Sequence, residues 1–298
     1  MIFSTAVEIP GRTTSVKRPA RLLLCTDMDR TIIPNGSQPE LLSVRKQFAK
    51  FCSLSQLCLV YVTGRHLRLM EEAIEEYNLP EPDYAITDVG TKIYHRHECK
   101  WQENLAWQTM IAGAWKGKSH GQLQEALNCV TELILQEPDR QNDFKLSYYL
   151  PLAVDEKRIL HGVQQRLKEL NVQASLIWSI DEAKNMGLLD ILPGNATKLH
   201  GIEFLQQQLG YQPDEIIFAG DSGNDIPVLT SSIRSILVAN ARQEIQAQAI
   251  EGARKNGNAA SLYLAVNTES GVDGNYAAGV LQGIIHFFPE MNEKLEKM

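Results

Sequence analysis

No apolar run in the 298 residues approaches the ~18 needed to cross a bilayer. The N-terminus also lacks a hydrophobic core of the signal-peptide kind. A membrane partner and a secretory route are therefore not expected, and the sequon Asn195-Ala196-Thr197 is read as chance. Cysteine patterning is absent too. Cys25, Cys52, Cys58, Cys99 and Cys129 form no Cys-x-x-Cys pair, and none stands beside histidine at zinc spacing. Their odd number suits free thiols in a reducing cytoplasm. Basic charge is in deficit: a net charge of −7 excludes a general nucleic-acid binder, which needs a concentrated Lys/Arg face. No Gly-x-Gly-x-x-Gly fingerprint occurs, so dinucleotide binding has no support. Gly113-Ala114-Trp115-Lys116-Gly117-Lys118-Ser119 has three residues between its glycines where the nucleotide loop needs four. His95 and His97 lack a third metal ligand and are read as exposed polar residues.

The composition that remains, 44% hydrophobic and 22% charged, is that of a globular protein. Residues 1–20 are polar and broken by Pro10, Gly11 and Pro19, which reads as a flexible leader. Strand-like and helix-like segments then alternate. Arg21–Met28 is a short apolar run ending in acid. Leu41, Leu42, Val44, Phe48 and Phe51 make one helical face. Leu57–Val62 and Tyr84–Thr87 read as strands, with a helix to about Tyr77 between them. This rhythm predicts a doubly wound, mostly parallel α/β sheet of Rossmann-like type. It pauses in the middle of the chain. Three of the four tryptophans lie between Trp101 and Trp115, which reads as packing of a separate unit. Strand-like pieces recur at Leu146–Leu150, Ser175–Trp178 and Leu188–Leu192, with a helix at Glu156–Leu170. After Pro193-Gly194 the first rhythm resumes, with a helix from Lys198 to Leu209 and strands at Ile216–Ala219 and Ser235–Ala239. The expected division is a core of residues 21–92 and 193–298, interrupted by an inserted α/β cap at 93–192.

The chemistry concentrates in two acidic clusters. Asp27-Met28-Asp29-Arg30-Thr31 follows one predicted strand, and Gly220-Asp221-Ser222-Gly223-Asn224-Asp225 follows another. Either alone could be a turn with Asx caps. Together, both at carboxyl ends of strands where open α/β sheets bind ligands, they gather Asp27, Asp29, Asp221 and Asp225. Four such carboxylates suit a hard cation with oxygen ligands, magnesium above all. Thr63, after Leu57–Val62, is placed to hydrogen-bond a phosphoryl oxygen, and Lys198 to neutralise a transferring phosphoryl group.

The order Asp-x-Asp-x-Thr, Thr-Gly-Arg, Lys and Gly-Asp-x-x-Asn-Asp resembles the four motifs of the haloacid dehalogenase superfamily of phosphotransferases. The insertion between the second and third resembles its large-capped sugar-phosphatase branch. Within that branch the chain is most similar to the sucrose-phosphate phosphatases, through Gly90-Thr91-Lys92-Ile93-Tyr94, Lys145-Leu146-Ser147-Tyr148 and Leu189-Asp190-Ile191-Leu192-Pro193. The resemblance implies that Asp27 is a nucleophile forming aspartyl phosphate, and that Asp29 is the general acid/base with its main-chain carbonyl facing the metal. It implies that Thr31 orients Asp29, that Asp221 is a direct magnesium ligand supported by Asp225, and that Asn224 touches phosphate or the coordination shell. Substrate would be a small sugar phosphate, and an upstream sugar-phosphate synthase would be a partner. Two positions depart from the pattern: Arg30 stands where relatives commonly carry Gly or Asn, and Leu199 follows Lys198 where Gly is common. Selection among sugars is expected from the cap, with Lys145, Ser147 and Tyr148 as candidates; strand alternation pairs Lys145 with Ser147 and turns Tyr148 the other way. The alternatives are a phosphomutase with the same aspartyl-phosphate intermediate, or a noncatalytic sugar-phosphate-binding module.

Overall fold

A computed structural model describes residues 21–181, 184–268, 273–292 and 295, so the expected leader at 1–20 lies outside the described residues. Eight strands form one sheet. They are β1 Leu22–Thr26, β2 Leu57–Val62, β3 Tyr84–Thr87, β4 Lys92–His97, β5 Lys100–Glu103, and, after the inserted segment, Ile216–Gly220, Arg234–Leu237 and Leu262–Leu264. The inserted segment supplies β6 Ile134–Leu135, β7 Leu146–Pro151, β8 Ala174–Asp181 and β9 Met186–Pro193, so the last three strands of the large sheet are β10, β11 and β12. The large sheet runs β12-β11-β10-β1-β2-β3-β4-β5, and the small one β6-β7-β9-β8.

From β12 to β3 the large sheet is parallel. Its central strand β1 is buried along its whole length because helices cover both faces. Alternate residues take opposite sides. Leu22 and Leu24 meet Phe48, Phe51 and Ile284, from helices Leu42–Cys52 and Tyr276–Phe287. Leu23 and Cys25 meet Ile202, Leu205 and Ala249, from helices Lys198–Leu209 and Gln243–Lys255. Of the face expected at 41–51, Phe48 and Phe51 are fully buried and Val44 partly so; Leu41 is 39% exposed, because it precedes the helix as its N-cap. The side chain of Leu42 lies outside the described ones.

Sheet pairing does not stop at residue 92. β4, which begins at Lys92, pairs antiparallel with β3, and β5 pairs antiparallel with β4, so the large sheet extends into the segment 93–192. Their reversal at Glu98-Cys99 uses two left-handed residues (φ 49° and 61°) without the Asn or Gly that normally announces such a turn. Trp107 likewise packs in the large core, against Phe204, and Trp101 packs at its other face; of the three clustered tryptophans, Trp115 belongs to the core of the small sheet. That smaller core lies between one face of the small sheet and helices His120–Leu127 and Glu156–Glu169. The opposite face of the small sheet turns toward the carboxyl ends of β1, β2 and β10. There Ile177 and Leu192 pack against Val89, and a Cβ on Gly223 would stand 2.8 Å from the Trp178 carbonyl oxygen.

Candidate active site

The cleft between the sheets, about 420 Å³, is lined from below by Asp27, Asp29, Arg65, Asp221 and Asn224 and from above by Gln136, Arg140, Lys145, Asp181 and Asp190. Parallel pairing explains the lower set: β10, β1 and β2 lie side by side in one direction, so the loops leaving them emerge at one edge. Asp27 is 4% exposed. Its Oδ1 accepts the Met28 N–H (2.8 Å), and its Oδ2 lies 3.0 Å from the Lys198 ammonium. Lys198 is fully buried and also donates to Asp225 Oδ1 at 2.7 Å, joining the two acidic loops.

The second loop is built around Asp225. Its Oδ2 accepts the N–H groups of Asp221 and Ser222, both at 3.0 Å. A Cβ on Gly220 would fall 2.6 Å from that same oxygen, so only glycine fits at the strand end. With both oxygens of Asp225 occupied, Asp221 is the freer metal-facing carboxylate. One oxygen from each of Asp27, Asp221 and Asp225 lies within 4.8 Å of the others. This buried, oxygen-only set fits a hard divalent cation. Burial of three like charges has a titration signature. Burial pushes the Asp27 carboxyl up to about 7, with Lys198 opposing and Asp225 and Asp29 adding to the rise. Asp221 is raised well above the usual range, first by burial and then by its acidic neighbours. Burial disfavours the charged form of Lys198, but Asp225 and Asp27 outweigh it and raise its pKa.

Asp29 stands outside the three-carboxylate group. Arg65 grips it at both oxygens, Nε to Oδ2 at 2.8 Å and Nη2 to Oδ1 at 2.7 Å, and Asn35 Nδ2 donates to Oδ1 at 2.6 Å. Its surroundings oppose ionisation, yet these donors win and hold the carboxyl below its ordinary range. Thr31 does not orient it. The Thr31 hydroxyl is buried without a hydrogen-bond partner, while its N–H donates to the Met28 carbonyl at 3.2 Å. Thr63 is buried at the end of β2, and its hydroxyl accepts the Arg65 N–H at 3.1 Å. Asn224 lines the cleft, with its side-chain oxygen accepting from Ser222 Oγ at 3.0 Å.

On the upper side, Lys145 reaches the cleft as a buried cation, 3.9 Å from Asp190 Oδ1 and 4.0 Å from Asp88 Oδ1. Ser147 does not line the cleft. It is fully buried and donates to Asp190 Oδ1, its cross-strand neighbour, so it positions that carboxylate from behind. Tyr148 points to the other face, into the core beneath the helices, as strand alternation requires. Arg65, Asn35, Arg140 and Asp190 were not singled out from sequence. Arg65 and Asp190 stood inside quoted motifs, whereas Asn35 and Arg140 carry no local signal.

The family profile described as sucrose-6F-phosphate phosphohydrolase matches residues 20–288. A protein named as a HAD-like hydrolase in Nitrosococcus oceani is 43% identical over 276 residues, 93% of this chain and 74% of its own length. Mannosylfructose-phosphate phosphatase of Agrobacterium fabrum is 29% identical over 229 residues, 76% of this chain and 86% of its own. The crystal structure of the sucrose-phosphatase of Synechocystis sp. PCC6803 in complex with sucrose and phosphate superposes with a TM-score of 0.74 at 26% identity, covering 90% of this chain and 98% of that one. A sugar phosphatase of the haloacid dehalogenase type, the chain belongs to the sucrose-6F-phosphate phosphohydrolase family.

Proposed function

We propose that the protein hydrolyses the phosphate monoester of a disaccharide or similar glycoside, sucrose 6-phosphate being the first candidate, through an aspartyl-phosphate intermediate on Asp27. The observation that carries this reading is the buried chain of contacts from Asp27 through Lys198 to Asp225, beside Asp221 and open to the cleft. An Asp27 oxygen attacks phosphorus as the ester oxygen leaves, and Lys198 balances charge on the phosphoryl oxygens. Asp29 protonates the departing alcohol and then takes a proton from the water that cleaves the aspartyl phosphate. Arg65 holds Asp29 in the ionised form, which suits the second half-reaction. The first requires that this grip loosen when the anionic substrate enters. Thr63 and Asn224 are assigned to phosphate. Magnesium would be held by Asp27, Asp221 and the main-chain carbonyl of Asp29, with Asp225 in support, and would supply charge neutralisation at the phosphoryl oxygens.

The residues above the cleft are assigned to the sugar, with the inserted segment acting as the specificity cap. Lys145 and Asp190 present a cation and a carboxylate where hydroxyl groups would lie. Relatives named for a sucrose and for a mannosylfructose phosphate support a disaccharide rather than a smaller ester. The test is phosphate release from a panel of phosphorylated mono- and disaccharides, with and without Mg²⁺. Release should be Mg²⁺-dependent and fastest on a disaccharide phosphate, without a bisphosphate activator. Preference for a monosaccharide phosphate, or isomerisation without net phosphate release, would overturn the reading.

A further inference from the structure

Arg30 adopts φ 58°, the left-handed region, where an L side chain crowds the following carbonyl and glycine is at ease. A long side chain persists in such a conformation only where its surroundings over-determine it. Here they do. The Arg30 N–H donates to Asn35 Oδ1 at 2.9 Å, and the Arg30 carbonyl accepts from Asn240 Nδ2 at 2.6 Å. The guanidinium donates from Nε to Asp221 Oδ2 and from Nη2 to the Asn240 carbonyl, each at 3.2 Å. Asn240 is itself anchored, its Oδ1 accepting the Tyr276 N–H at 2.8 Å. The Arg30 and Asp221 side chains are 17% and 5% exposed, so the pair is little screened by water.

Asp221 is also one of the three clustered carboxylates, and Lys198 lies on the other two. Lys198 alone would leave that cluster, when ionised, with two negative charges in excess; Arg30 removes one. Like charges buried together repel, so a fixed cation keeps the cluster in place without metal. The same cation opposes any divalent ion arriving at Asp221.

We propose that Arg30 is a built-in competitor at the metal site, which holds Asp221 Oδ2 in the metal-free protein and thereby weakens the site's hold on a divalent cation. The inference rests on the metal reading given above. It accounts for an arginine at a position suited to glycine or asparagine. With it the active site stays ordered between metal ions, and full loading needs a higher concentration of them.

Two variants separate charge from backbone strain. Arg30→Gln keeps the strained conformation and removes the charge, whereas Arg30→Asn removes the charge and suits the left-handed turn. Calorimetric titration of Mg²⁺ into the chelator-treated protein should show both variants binding at least about tenfold more tightly than wild type. Arg30→Gln should also melt at a lower temperature in chelator, so that added Mg²⁺ raises its Tm by more than it raises that of wild type. Mg²⁺ binding by wild type that both variants leave unchanged or weaker would overturn the role of Arg30 and leave the metal reading standing. Tightening by Arg30→Asn with none in folded Arg30→Gln would place the effect in the backbone and overturn it equally. Absence of Mg²⁺ binding by wild type would overturn the metal reading and this inference together.

Discussion

Along the large sheet, the polar residues of the cleft sit in loops just beyond the ends of β1, β2 and β10. In the small sheet, Lys145, Ser147 and Asp190 lie on or beside strands, on one flat face. The first arrangement draws its groups together by the direction of the strands alone, whatever their separation in sequence. The second depends on register, since a slip of one residue would turn Ser147 into the helical core and bring Tyr148 to the cleft. Charge is managed differently as well. The lower site crowds three carboxylates and relies on Lys198 and Arg30 to hold them, whereas the upper one sets the ammonium of Lys145 about 4 Å from both Asp88 and Asp190. On the function proposed above, the lower region serves the phosphoryl chemistry common to many esters, and the upper tells one alcohol from another.

Asp27→Asn should break the lower region outright. The amide preserves shape but is no nucleophile, and turnover should fall on the order of 10⁴-fold or more on every ester. Retention of turnover within tenfold of wild type by the folded variant would end the nucleophile assignment. Asp29→Asn divides the lower region by half-reaction. Loss of the proton relay should reduce turnover of a sugar phosphate by about 10²–10⁴-fold, and that of nitrophenyl phosphate, whose leaving group needs no proton, by much less. Equal losses on both esters would rule out the acid role.

Lys145→Ala addresses the upper region. If its contacts go to the sugar, kcat/KM for the sugar phosphate should drop about ten- to a hundredfold while small aryl phosphates react nearly as before. A comparable drop on both would mean that Lys145 supports the fold, by compensating Asp88 and Asp190, and not the choice of substrate. The smallest effect is thermal. Since burial raises the Asp27 carboxyl to about 7, metal-free folded protein holds a proton that the unfolded chain releases above its ordinary value of 3.8. Its stability should therefore decline as pH rises between those values. A cation at the carboxylates makes that proton unnecessary, so Mg²⁺ should raise Tm more at pH 8 than at pH 5.5, by roughly 2–4 °C. A larger Mg²⁺ shift at the lower pH, read by scanning calorimetry, would contradict the placement of the ion beside Asp27.

Local sequence was enough to identify the large sheet as α/β and to put Asp27, Asp29, Asp221, Asp225, Thr63 and Lys198 at or just beyond the ends of its elements. Each follows a short apolar run or opens a helix, and a buried parallel strand has to end where its apolar run ends. Strand alternation also separated Lys145 and Ser147 from Tyr148. Partner choice was a different matter. That Arg65 clamps Asp29 and leaves the Thr31 hydroxyl alone, that Arg30 reaches Asp221 across 191 positions, and that Ser147 backs Asp190 across 43 are consequences of which loops and strands become neighbours. The continuation of the large sheet through β4 and β5 was equally hidden, because a Glu-Cys turn carries no glycine or asparagine signal. A residue's type and its periodicity are local properties written in the chain; the geometry of two charged side chains is set by elements distant in sequence, and exists only once the sheets have packed.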